Sequence, residues 1–102
     1  MRIPNQIQIA GILYRVEMVD GFSHDDALLG QIDYVRCTIN INSKPCEQVQ
    51  FESLIHEVLH GVVVATGEFD HNEKDIEAQG RLLSQVIKQL LNSNDVDASR
   101  SN

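Results

Sequence analysis

Apolar residues recur along the first fifth of the chain at intervals of two or three, at Ile7, Ile9, Ile12, Tyr14, Val16 and Met18. This near-alternation is the spacing of a strand with one buried face. Residues 14–19 are its most secure part, and Gly11 reads as a bulge or bend. Asp20-Gly21 breaks the pattern, and Ser23-His24-Asp25-Asp26 reads as a loop or short turn whose histidine and acids are solvated. β-Branched and aromatic residues then dominate residues 31–41, as either one long strand or two joined by a tight bend near Arg36 and Cys37. Ile39 and Ile41 alternate with Thr38 and Asn40, so an antiparallel sheet packed on one face is the expected product.

Beyond Pro45 the apolar interval lengthens to three and four, the period of a helix. Asn42 or Ser43 is the expected cap, Pro45 falls in the first turn, and Glu47 suits the positive pole of the dipole. Leu54, Ile55, Val58, Leu59, Val62 and Val63 form the buried stripe, and Thr66-Gly67 ends the helix after about Ala65. A polar connection over residues 68–72 leads to a second helix over residues 73–91, with Ile76, Gly80, Leu83, Val86, Ile87 and Leu90 in phase. Residues 93–102 are polar and are expected to form a flexible tail. The pattern predicts one α+β domain over residues 1–92, a small antiparallel sheet packed on two helices.

With 102 residues and 42% apolar content, the chain can build one modest core. Its net charge of −7 repels phosphate backbones, no basic patch is visible and Trp is absent, so nucleic-acid binding is not expected. No apolar run is long enough to cross a bilayer, and the first twenty residues lack the layout of a secretion signal. Cys37 and Cys46 form no C-x-x-C pair, which points to a reducing, cytoplasmic setting, although only geometry can decide whether they bridge.

Candidate chemistry is concentrated in the first helix, at His56-Glu57-Val58-Leu59-His60, an H-E-x-x-H sequence. Residues four apart stack on one helix face, so both imidazoles can grip one zinc ion. Glu57 points about 100° around the helix, where a general base can reach the activated water without becoming a ligand. Average residue usage yields this spacing by chance in only a fraction of about 1% of chains this short. The plainer reading is two ordinary helix histidines beside a solvated acid.

A catalytic zinc needs a third protein ligand, and Asp70, His71, Glu73, Asp75 and Glu77 follow within reach of an antiparallel second helix. With Ile76, Gly80, Leu83 and Ile87 inward, Glu73 lies about 60° from that face and Glu77 about 100°, while Asp75 lies on the far side. Glu73 is best placed and Glu77 comes second. His71 would require the connection to fold back.

Residues 30–92, through GQIDYVRCTININ, EQVQFESLIHEVLHGV and NEKDIEAQGRLLSQVIKQLLNSN, resemble small phage-type HExxH metallopeptidases related in layout to the ImmA/IrrE zincins. The resemblance implies a minimal zincin-like fold in which His56, His60 and Glu73 hold zinc and Glu57 is the base. The longer relatives carry an E-A-N signature, to which Glu77-Ala78-Gln79 is similar, and that match favours Glu77. No metzincin continuation follows Gly61. The expected function is zinc-dependent hydrolysis of a peptide or protein substrate, with Tyr34 or His71 steadying the oxyanion. The alternative is a phage or prophage binding module that keeps the scaffold and a structural zinc but cuts nothing.

Overall fold

The computed structural model describes residues 3–23, 27–67 and 72–100, with side chains as far as Leu91. The elements run β1 (Gln6–Ile9), β2 (Ile12–Val19), β3 (Gly30–Asp33), β4 (Thr38–Asn42), α1 (Glu47–Ala65) and α2 (Glu73–Arg100). This is the expected α+β domain of one sheet and two helices.

The strand pattern divides at Ala10-Gly11. Both residues have positive φ, 51° and 82°, and Ile9 pairs with Ile12 across them. A two-residue turn of that hand matches the twist of an antiparallel pair, so Gly11 closes a hairpin. The second apolar run divides as well. Asp33 Oδ1 accepts the backbone N–H groups of Val35 and Arg36, both at 3.0 Å, and Cys37 adopts a φ of 51°. The outcome is the two-strand alternative, with the bend over residues 34–37.

The sheet order is β1-β2-β4-β3. The outer ladders are antiparallel, but β2 and β4 run parallel, with Val16 opposite Ile39 and Met18 opposite Ile41. The sheet is therefore mixed rather than wholly antiparallel. Burial supplies the reason: Ile39 and Ile41 are fully enclosed, and β4 gains that cover only from the centre, with half-exposed β3 left at the edge. Inserting the β3–β4 hairpin that way sets β4 alongside β2. One face carries Ile7, Ile9, Tyr14, Val16, Ile39 and Ile41 against Leu54 and Val58 of α1. The other carries Gln8, Arg15, Glu17, Gln31 and Asn40.

The start of α1 departs from expectation. Asn42 closes β4 and is buried. Its Nδ2 donates to the Leu28 carbonyl and its Oδ1 accepts the Lys44 N–H, both at 3.0 Å, so it cannot cap. The helix begins at Glu47 after Cys46, whose side chain makes no capping bond, and Pro45 lies just outside it. Its end is as expected: the Thr66 N–H reaches the Val62 carbonyl, and Gly67 turns away at φ 87°. Asn72 caps α2 by accepting the Lys74 N–H at 2.8 Å. The α2 backbone remains helical to Arg100, past Leu91, where the apolar spacing stops.

The two helices pack through small residues. Gly80 and Ser84 of α2 are buried against α1, and a Cβ at Gly80 would stand 3.5 Å from the His56 Cα. Leu83, expected to face inward, is 40% exposed because Ser84 takes its place in the seam. Lys88 fixes the helix register, with its Nζ 3.2 Å from Glu52 Oε1 and 5.7 Å from the centre of the Phe51 ring. Both cysteines are free, Cys37 half-buried and Cys46 exposed. Among the described residues no helix is long and apolar enough to cross a membrane.

Ile39→Ala empties space at the centre of the sheet and should cost about 2–5 kcal/mol. Thermal denaturation should show the midpoint falling by roughly 8 °C or more.

Candidate metal centre

Gly61 follows the second histidine directly, and it lets α1 lie close on the sheet. A Cβ there would come within 2.9 Å of Ile9 Cδ1 and 3.3 Å of Ile32 Cδ1. With that side of α1 fixed against β1 and β3, His56 and His60 turn toward α2. Their side chains are 23% and 15% exposed, and the ring centroids are 4.8 Å apart.

Glu73 opens α2, just after the Asn72 cap, where the helix dipole favours its charge. The antiparallel crossing brings its carboxylate over both rings. Oε1 lies 2.7 Å from His56 Nε2, Oε2 lies 3.0 Å from His60 Nε2, and the two Nε2 atoms are 3.1 Å apart. His56, His60 and Glu73 thus form a group that could hold a metal ion. Ligand atoms sharing one tetrahedral zinc at about 2.0–2.1 Å stand roughly 3.3 Å apart, so these separations fit that donor set.

The two carboxyls at this site occupy opposite environments. Partial desolvation raises the Glu73 pKa, but hydrogen bonds and charge from His60 and then His56 outweigh it and hold the carboxyl below its ordinary value. Burial pushes Glu57 up to about 7; the charge of His56 opposes that rise, the charge of Glu73 adds to it, and a hydrogen bond from the Ile32 N–H opposes it. Glu57 is only 8% exposed, so burial dominates.

Gly30 makes room for this acid. A Cβ at Gly30 would stand 3.2 Å from Glu57 Cγ and 3.3 Å from its Oε2. The neighbouring cleft, about 690 Å³, is lined by Gly30, Ile32, Tyr34, Glu57 and the three-residue group. Burial raises the Tyr34 pKa, and the charge of Glu57 adds to the rise, so its phenol stays protonated.

The sequence-expected residues are thereby sorted. His56, His60 and Glu73 come together with Glu57 beside them, whereas Glu77 stands one turn along α2 and pairs with Arg81 at 3.0 Å. Asp75 is exposed, and the candidates His71 and Asp70, like His24, Asp25 and Asp26, lie outside the described residues. Sequence reasoning missed Gly30 and the Ile32 N–H. The glycine at the start of a β-branched run was the only signal for either, because a glycine in a strand can mark a close approach. Comparison with known protein families, curated proteins and solved structures finds no match for this chain.

Elemental analysis should find metal retention reduced at least roughly tenfold to a hundredfold in His56→Ala and Glu73→Ala, and unchanged in Glu77→Ala. In chelator-treated protein, folded Glu57 holds its proton up to about 7 while the unfolded chain releases it near its ordinary value of 4.5. Stability should therefore fall as pH rises between those two values and level off above, by on the order of 3 kcal/mol. Glu57→Gln should remove this slope in urea titrations.

Proposed function

We propose that this domain is a zinc-binding hydrolase of the HExxH class. More specifically, we infer a zinc metallopeptidase similar in plan to the phage-type and ImmA/IrrE zincins. The observation that carries the reading is the convergence of Glu73 on two imidazoles one helical turn apart, with a buried acid beside them. Two nitrogens and a carboxylate oxygen are the donor set of peptidase zinc sites.

When bound, zinc would polarise a carbonyl and lower the pKa of water toward about 7. Glu57, buried beside the two imidazoles, is suited by position to take the proton of the attacking water and return it to the leaving amine. Tyr34, a neutral donor in the same cleft, supplies a hydrogen bond to the developing oxyanion. Leu29 accepts the Asn42 N–H, so by alternation Gly30 and Ile32 turn their backbone groups away from β4 toward the cleft. The Ile32 N–H is taken by Glu57, so an extended peptide can pair with the outward groups of Gly30 and the Ile32 carbonyl and bring its own carbonyl over the site. Free cysteines suit a reducing compartment, and the cytoplasm is the proposed setting.

Zinc-loaded protein should cleave a peptide library. Glu57→Gln should lower that rate by about 100-fold or more while keeping its metal. Undiminished cleavage in that variant would refute the mechanism, and metal retention without any cleavage in the wild type would leave a metal-holding binding domain.

A further inference from the structure

Beside the metal centre a second recess, about 400 Å³, opens between α1, α2 and residues 27–30. It shares His56, Glu57 and Gly30 with the cleft over the histidines, so a chain lying in that cleft can send a side chain into it. Leu28, Leu29 and Val49 supply apolar wall, while Glu52, Glu77 and Arg81 supply charge. An apolar channel with charged groups suits a long side chain with a methylene stem and a polar head.

The sign of that head follows from the lining. Among the lining residues an anion would meet the carboxylates of Glu52 and Glu77 with only Arg81 in its favour, in a chain of net charge −7. Glu52 is engaged by Lys88 from outside the recess. Glu77 is bound through Oε1 to Arg81, whose side chain is 68% exposed and free to swing into solvent as a cation arrives.

We propose that this recess is a subsite for a lysine or arginine side chain next to the cut bond, with Glu77 reading the cationic head. The word "cut" rests on the metallopeptidase reading; the preference of the recess does not. Glu77, second in rank as a metal ligand from sequence, thereby acquires a different role.

The test is binding of N-acetyl-lysine amide, N-acetyl-norleucine amide and N-acetyl-glutamate amide to zinc-loaded protein, followed by amide chemical shifts. The lysine compound should bind roughly threefold to fivefold tighter than norleucine, the worth of one part-exposed ion pair, with glutamate weakest. In Glu77→Gln the lysine-to-norleucine ratio should fall toward one, with metal content at the wild-type level. Equal binding of lysine and norleucine in the wild type, or a lysine advantage intact in Glu77→Gln, would overturn the proposal. Peptide cleavage indifferent to basic residues would do the same and leave the peptidase standing. Selective lysine binding without cleavage would instead sink the peptidase reading and support the subsite.

Discussion

Three electron-pair donors within about 3 Å of one another repel unless a proton or a metal cation lies among them, and the meeting of His56, His60 and Glu73 is the constraint on which the rest of this structure turns. A helix alone brings the two imidazoles together at no cost, since residues i and i+4 are neighbours on its surface. The carboxylate is different, because it must be carried in by a second helix. That helix is held by the Asn72 cap, the close passage of Gly80 over His56, and the Lys88–Glu52 pair. Protons can relieve the repulsion, and a divalent ion with a taste for nitrogen and oxygen relieves it more completely.

Two acids within one small site are driven apart in proton affinity. Glu73, 63% exposed and bonded to imidazoles, is held in its charged form. Glu57, enclosed against Gly30 and the edge strand, keeps its proton near neutrality. Such a division is how two like groups acquire different tasks, one as a fixed negative charge and the other as a proton carrier. The sheet shapes the site through this second acid. By placing β4 at the centre and β3 at the rim, the fold brings Gly30 and Ile32 to the Glu57 side chain and leaves the outward backbone of β3 facing the cleft.

Much of the architecture was legible beforehand because it rests on local rules. Apolar periods of two and of three to four marked the strands and helices, Thr66-Gly67 marked a helix end, and HEVLH marked a helix face that could hold a metal ion. The misreadings arose where a distant partner claimed a residue. Asn42 looks like a helix cap until its amide is seen tied to Leu28, which at full extension lies roughly 46–50 Å of chain away. Ser84 and Leu83 exchange places in the helix seam because a small residue permits the close crossing that a leucine would prevent.

The sequence by itself determined which side chains could bind a metal and that two of them would share a helix face, because a helical turn is set by backbone geometry alone. It could not decide between Glu73 and Glu77, nor which way β4 would run beside β2. Those outcomes depend on how one helix crosses another and on which strand has the most apolar surface to hide. Crossings and burial are properties of the packed chain, and a difference of one turn along α2 was enough to separate an acid that meets both imidazoles from an acid in the neighbouring recess.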